Sequence, residues 1–506
     1  MTEKSKAPHG PIMLGDLIAA LDPEFKHACQ NVPISCITDD SRRVEPGALF
    51  VAVPGEQVDG HRFIQEAVRN GAGAVVCQEA PSPLPGCPVI VVPDCRIAMS
   101  ALAHAFYGRP SESLCVVGVT GTDGKTTTTE LIRAILREAG CRAGSLGTVT
   151  YNLGARSVDS DQTTPHPLRL HAMFREMTDA GLTHVAMEVS SHSLVHHRTA
   201  HVPFRAAVLT NVTEDHLDFH GSHEAYVRAK QTLFENLSPN AFAVLNAASP
   251  LCKRFRKATR ATPLTFGMDS DADIWGEKRR ARISGMELQV RTPLESFSMH
   301  TPLTGDHNCE NMLAAAAVAF ALEVPPGVAQ RALERFKGVP GRLERVSPNE
   351  PGTPTVLVDY AHTPNALETV LTTLRPLTRG RLTCVFGCGG NREKQKRPAM
   401  GAISTSLADL TIITSDNSRS EATEDIIAQI VSGIKRPSLA YITEPDRRRA
   451  IEKALAYTHG PDDVVVICGK GCEQVQILGA ACIPFDDRMV AREILMGQRS
   501  LMRKTA

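Results

Sequence analysis

Gly118-Val-Thr-Gly-Thr-Asp-Gly-Lys-Thr-Thr127 joins an apolar run, Leu114 to Val117, to a helical pattern from Thr126 to Gly140. A strand, a glycine-rich turn, a lysine and a helix in that order read as a phosphate-binding loop. Gly121 and Gly124 let backbone N–H groups turn inward on an anion, Lys125 adds a mobile positive charge, and the Thr126 hydroxyl can complete the coordination of Mg²⁺. The helix that follows aims its positive end at the same point. Val119 stands where the first glycine of G-x-x-x-x-G-K-[ST] would fall. The stretch predicts nucleoside triphosphate binding on an α/β fold.

Outward from this loop, 506 residues suffice for roughly three domains. Residues 1–112 mix short apolar runs (Ile34 to Ile37, Leu49 to Val53) with turns and a helical pattern from His61 to Asn70, which predicts a small α/β domain. Residues 113–338 alternate β-like runs (Val185 to Val189, Ala206 to Leu209, Ala243 to Leu245) with helical patterns such as Ser222 to Asn236, and so predict a mainly parallel sheet. The alanine-rich helix from Asn311 to Leu322 reads as core. Gly338-Val-Pro-Gly-Arg342 has turn residues and no periodicity, so a linker is placed there. Residues 339–506 alternate again, with strands at Val356 to Val358, Thr383 to Phe386, Leu410 to Thr414 and Val464 to Ile467. That pattern predicts a doubly wound domain in which Gly387 to Arg397, Ser415 to Glu421 and Gly469 to Glu473 converge on one crevice beyond the strand ends.

Composition excludes several function classes. Basic and acidic residues balance at 55 each, and aromatics are 5%, so nothing global steers the chain to nucleic acid and little is available for base stacking. The basic clusters Lys253 to Arg260, Glu277 to Arg282 and Arg447 to Arg449 read as solvated faces. Met1 to Gly10 lacks an apolar signal core, and the longest apolar run, Met312 to Leu322, is too short for a bilayer. A cytoplasmic monomer with no membrane partner is expected. The pairs Cys384/Cys388 and Cys468/Cys472 lack metal-site spacing and read as core and loop thiols. His192/His196 lacks the glutamate of H-E-x-x-H.

Thr-Gly-Thr-Asp-Gly-Lys-Thr-Thr127, Met-Glu-Val-Ser-Ser-His192, Asn211 with Asp-His-Leu-Asp218, Gly-Asp-His-Asn-Cys-Glu-Asn311, Pro-Gly-Arg-Leu-Glu344 and Asp-Tyr-Ala-His-Thr-Pro364 together resemble the Mur ligase family, in order over nearly the whole chain. The resemblance implies three domains, a central P-loop ATPase domain and a C-terminal Rossmann-like domain among them, and an ATP-dependent amide ligase of peptidoglycan precursor synthesis. Asp39-Asp-Ser-Arg42, Thr-Thr-Pro165, Gly-Cys-Gly-Gly-Asn-Arg392, Asp-Asn-Ser-Arg419 and Gly-Lys-Gly-Cys-Glu473 resemble the member that adds a diamino acid to UDP-N-acetylmuramoyl-L-alanyl-D-glutamate.

Carried over by position, the resemblance implies that Gly121, Thr122, Asp123, Gly124, Lys125, Thr126 and Thr127 bind ATP, with Asn308, Asn311, Asp359 and His362 near the nucleotide. Asp39, Ser41, Glu56, Gln57, Val58, Thr163, Thr164, Ser190, His196 and Arg198 would line the UDP-substrate channel. His196 stands where the family has glutamine, and Gln162 where it has asparagine. Lys125, Glu188, His216 and Lys230 would be the catalytic set, with Thr126, Glu188, His216 and a carbamylated Lys230 on Mg²⁺. Arg392, Asp416, Asn417, Ser418, Arg419, Gly469 and Glu473 would hold the incoming amino acid. Arg419 decides which one: diaminopimelate differs from lysine by a far carboxylate, which an arginine grips with two parallel hydrogen bonds. Three alternatives stay open: Arg419 capping the next helix or pairing with Glu421, a lysine-adding ligase, and a relative such as a folylpolyglutamate synthase. A non-catalytic nucleotide switch would leave Arg392 and Arg419 without a purpose. Closure about residues 338 to 342 is expected to exclude water.

Overall fold

The computed structural model describes residues 10–22, 32–55, 58–348, 350, 352–435 and 440–505, the side chains of 498–505 excepted. It divides into two compact units, one of residues 1–266 with 314–329 and the other of residues 267–313 with 330–506. Among the described residues no helix is long and apolar enough to cross a membrane.

In the first unit, four parallel strands lie in the order Cys36–Thr38, Ala48–Val51, Ala72–Cys77, Val89–Val91. Alternation sends Leu49, Val51, Ala74 and Val76 into one core with helix Cys95–Phe106, and Phe50, Val75 and Cys77 into another with Ile64 and Ala67. The apolar run Ile34 to Ile37 does not form one strand. Pro33–Ile34 pairs antiparallel with Ile12–Met13, and Cys36–Thr38 joins the parallel sheet.

The second sheet of this unit has six parallel strands, in the order Ala143–Leu146, His184–Glu188, Cys115–Thr120, Phe204–Leu209, Phe242–Asn246, Thr262–Gly267. Cys115–Thr120 lies inside the sheet and feeds the phosphate loop, which opens helix Lys125–Glu138. Val119 is buried strand, paired with Glu188, so the glycine expected there is not needed: the tight turn begins at Gly121.

In the second unit, Thr355–Asp359, Val464–Cys468, Leu382–Phe386, Leu410–Ile413 and Tyr441–Thr443 form a parallel sheet in that order. Val464, Val466 and Cys468 face one core while Val465 and Ile467 face the other, as a doubly wound sheet requires. Strand order reverses between Leu382–Phe386 and Val464–Cys468, so a crevice is expected beyond their carboxyl ends.

The charged run Glu277 to Arg282 is solvent-facing, as its composition predicts, and lies on Ile274–Arg282, the first strand of an antiparallel meander with Gly285–Arg291 and Ser296–Thr301. Its charged side chains face outward, so the sequence lacks an apolar signal there. Arg447 is not solvated. It is buried, paired with Asp487 at 2.7 Å, and donates to the carbonyls of Ser415 and Cys468 at 3.0 and 2.9 Å, tying the ends of two strands together. Cys384, Cys388 and Cys468 are also core residues, and burial pushes the Cys388 thiol up to about 12.

Candidate active site

The phosphate loop is braced from the neighbouring strand end. Gly121 has φ +152°, and a Cβ there would collide with the Thr210 hydroxyl and come within 2.9 Å of the Asn211 carbonyl. Asn211 accepts from Thr122 N–H through its carbonyl and from Asp123 N–H through its side chain, both at 2.9 Å, and Thr210 donates to the Asp123 carbonyl at 2.6 Å. Gly124, at φ +83°, then turns the chain into the helix. Thr126 and Thr127 are buried on the first helical turn. Lys125 folds back on the loop, donating to Thr122 and Gly121 carbonyls at 2.8 and 3.1 Å.

Beside it, helix His223–Glu235 carries Lys230, which is 1% exposed, donates to the Gly121 carbonyl at 2.8 Å and lies 4.3 Å from the centre of the Tyr226 ring. Burial first, and then the charge of Lys125, push its pKa well below the ordinary lysine value. A lysine so placed favours the neutral amine, the form that can take up CO₂ as a carbamate. Glu188 is equally buried, yet its carboxylate has neutral partners only among the described residues, the Thr148 N–H at 2.7 Å and hydroxyl at 3.0 Å. A buried anion without a cation fits a metal ion nearby. His216, in the left-handed region at φ +54°, is kept neutral chiefly by burial and packs at 4.8 Å on His192. No cluster of three or more His, Cys, Asp or Glu among the described residues could hold a metal unaided. A Mg²⁺ site here requires the Thr126 hydroxyl and a modified Lys230 as well, and those donors are of the hard kind Mg²⁺ takes.

A cleft of about 420 Å³ in the same unit brings together Asp39, His196 and Arg198 with residues that sequence reasoning missed, Pro54, Arg96 and His166 among them. His166 lies 3.2 Å from Asp39. Burial pushes the Asp39 carboxyl up, but the hydrogen bond and charge of His166 outweigh it and leave the pKa below the ordinary value. Arg198 donates to the Gln162 side chain and the Thr164 carbonyl, each at 2.8 Å, and Thr164 donates to the Glu188 carbonyl at 2.9 Å. Ser190 caps helix Ser191–Val195, Thr163 shares a 3.2 Å bond with Thr148, and Ser41 donates to Glu66 at 3.2 Å. Val58 is half exposed, while Glu56 and Gln57 lie outside the described residues.

The second unit holds the other constellation. Asp416, Asn417, Ser418 and Arg419 follow strand Leu410–Ile413, and Gly469 to Glu473 follow Val464–Cys468. Gly469 has φ +114°, and a Cβ there would come within 2.7 Å of the Asp416 carboxylate. Asn417 donates to Glu473 at 2.8 Å. Arg419 is half-buried at φ +51°, fixed by its own N–H to Ile477 at 3.1 Å and its carbonyl to Gly479 at 2.7 Å. Its guanidinium spends one nitrogen, Nη1, on the Gly390 carbonyl at 2.8 Å and on Asn417 at 3.4 Å. Glu421 is not its partner: that carboxylate belongs to buried Arg397 at 2.8 Å, with Lys394 at 3.5 Å. Helix Thr423–Val431 begins after Ala422, so Arg419 is not its cap either. Arg392 is exposed nearby.

Asn308 and Asn311 share one face of helix Asp306–Ala321, linked at 3.2 Å. Asp359 spends both oxygens on backbone, the N–H groups of Leu343 and Ala361 at 2.7 Å each, and His362 Nδ1 is 2.9 Å from the Tyr360 carbonyl. The turn at 338 to 342 is docked rather than loose. Gly341, at φ +70°, lies so close to Gly471 and Cys472 that no Cβ fits.

Three family models match in chain order: "Mur ligase family, catalytic domain" over residues 33–107, "Mur ligase middle domain" over 119–319, and "Mur ligase, glutamate ligase domain" over 341–471. The UDP-N-acetylmuramoyl-L-alanyl-D-glutamate--2,6-diaminopimelate ligase of Geobacillus kaustophilus is 42% identical over 94% of this chain and 98% of its own. The enzyme of the same name from Solibacter usitatus is 42% identical over 90% and 92%. A solved structure of a ligase of that name superposes with a TM-score of 0.68 at 29% identity, covering 96% of this chain and all of its own. Mycobacterium tuberculosis folylpolyglutamate synthase shares the fold, at TM-score 0.59 and 19% identity over 74% of this chain. With its phosphate loop, buried lysine and arginine-bearing strand-end loops on this three-domain α/β architecture, the chain belongs to the Mur ligase family.

Proposed function

We propose that the chain is the ATP-dependent, ADP-forming ligase that adds meso-2,6-diaminopimelate to the D-glutamate of UDP-N-acetylmuramoyl-L-alanyl-D-glutamate in peptidoglycan precursor synthesis, acting in the cytoplasm as a monomer. The observation that carries the choice of amino acid is Arg419. It is a fixed cation beyond the strand end whose Nε and Nη2 have no partner among the described residues, so two nitrogens remain to pair with a carboxylate. A lysine substrate would leave that charge unpaired.

In this reading the D-glutamyl γ-carboxylate oxygen attacks the γ-phosphorus of ATP as the bond to ADP breaks, giving an acyl phosphate. The amine lone pair then attacks the acyl carbon. The tetrahedral intermediate collapses with loss of inorganic phosphate, and the amine proton goes to solvent. Lys125 and the loop N–H groups offset charge on the transferring phosphoryl group, which is electrostatic and positional catalysis with no protein nucleophile. Bound Mg²⁺, held by Thr126, Glu188, His216 and carbamylated Lys230, would neutralise phosphate charge. Asp39, His196 and Arg198 would hold the UDP-substrate in their cleft. Asp416 and Glu473 would accept from an ammonium of diaminopimelate, with Arg392 and Arg419 on carboxylates. Asn308, Asn311, Asp359 and His362 would serve the nucleotide. The division into 1–112, 113–338 and 339–506 belongs to the same proposal, supported by the separate cores of the two sheets in the first unit.

Phosphate release from ATP plus the UDP-dipeptide, with diaminopimelate or lysine as acceptor, tests it. Release with diaminopimelate at far higher kcat/KM supports the reading. Equal use of lysine sinks the amino-acid assignment, and no release with either sinks the ligase.

A further inference from the structure

Lys470 is fully buried, and its ammonium has three acceptors: Glu473 Oε2 at 2.9 Å, Asn417 Oδ1 at 3.2 Å and the Val475 carbonyl at 2.6 Å. An ammonium has three N–H donors, so none is left for a substrate. Its partners are themselves interlocked. Asn417 Oδ1 also accepts from Ile477 N–H at 3.0 Å, which fixes the amide orientation, and Asn417 Nδ2 donates to the same Glu473 oxygen at 2.8 Å. Glu473 Oε2 is thereby held by two donors, while Oε1 carries no hydrogen bond among the described residues and the side chain is one-third exposed.

We infer that Lys470 is a positioning residue for amino-acid selection: a saturated buried cation that locks Asn417 and one oxygen of Glu473, leaving the other oxygen in a single orientation to receive an ammonium. Lys470 lies three residues before Glu473 and 53 after Asn417, and so ties two of the strand-end loops into one rigid acceptor. This rests on the reading of Glu473 as a contact of the amino acid. Without Lys470 the Glu473 carboxylate keeps only its bond from Asn417, samples more rotamers, and must be ordered at the moment of binding.

The test is a double-mutant cycle on KM for diaminopimelate, using wild type, Lys470→Met, Glu473→Gln and the double variant, with KM for ATP measured alongside. Losing a hydrogen bond to a charged group predicts that Lys470→Met raises KM for diaminopimelate about tenfold to a hundredfold, with KM for ATP unchanged. In the Glu473→Gln background the same change adds little, because Lys470 acts through Glu473. Lys470→Gln, which keeps an uncharged amide donor, gives an intermediate KM and serves if the Met variant does not fold. An unchanged KM in Lys470→Met or Lys470→Gln, or full multiplication of the two single effects, overturns the inference. If Glu473→Gln alone leaves KM unchanged, the assignment of the amino-acid site fails first and the inference falls with it.

Discussion

Lys230 Nζ donates to the carbonyl of Gly121 at 2.8 Å, the same carbonyl that receives Lys125 at 3.1 Å. Two lysines thus converge on one oxygen of the phosphate loop, one of them fully buried. They repel, and that repulsion adds to burial in holding Lys230 toward its neutral form.

Lys230→Ala is expected to lose most ligase activity and to regain part of it with added short carboxylates, which replace the carbamate. Stripping bicarbonate from wild type should lower activity reversibly. Because the folded pKa lies below the ordinary 10.5, the unfolded chain binds the proton more tightly, and stability falls as pH drops below 10.5. Lys230→Met should therefore raise Tm at neutral pH while abolishing turnover. Full activity of the alanine variant would end the carbamate proposal.

Arg419→Ala should cut kcat/KM for diaminopimelate roughly 30-fold to several thousand-fold and erase its preference over lysine, as expected when the far carboxylate loses a charged partner worth about 2 to 5 kcal/mol. Steady-state kinetics with both amino acids measures this. An unchanged preference would return Arg419 to a structural role.

Glu421 has its pKa lowered to about 2, first by the hydrogen bond from Arg397 and next by the Asn391 N–H. Its ordinary value is 4.5, so the stability it contributes is present above pH 4.5 and lost as pH falls toward 2. Glu421→Gln should flatten the dependence of urea midpoint on pH across that window. Arg397→Ala, which strips a fully buried partner, should be strongly destabilising, by about 3 to 5 kcal/mol.

Arg198→Ala removes two bonds at the cleft, to Gln162 and Thr164. It should raise KM for the UDP-dipeptide about tenfold and leave KM for ATP unchanged. A matching rise in KM for ATP would place Arg198 in the nucleotide site instead.

The phosphate loop was legible because its parts are contiguous: strand, Gly121, Gly124, Lys125 and helix follow one another, and local backbone geometry decides what they form. The ordered motifs named the family for the same reason. Alternating apolar runs likewise mark most parallel strands, whereas strand Ile274–Arg282 exposes four charged residues in a row, Glu277 to Arg280, and so carries no alternation to reveal it.

Contiguous motifs and alternating apolar runs were enough for the α/β class and the family, because each is set within a few residues of chain. Tertiary structure decided which side chains become partners. Nothing local says that Glu421 belongs to Arg397 rather than Arg419, that His166 meets Asp39, or that Arg447 is buried on Asp487 instead of solvated. Hydrogen bonds act over about 3 Å. Residues 24, 127 or 40 positions apart in the chain reach that range only through packing of the elements that carry them, and that packing also saturates Lys470 while leaving donors of Arg419 open.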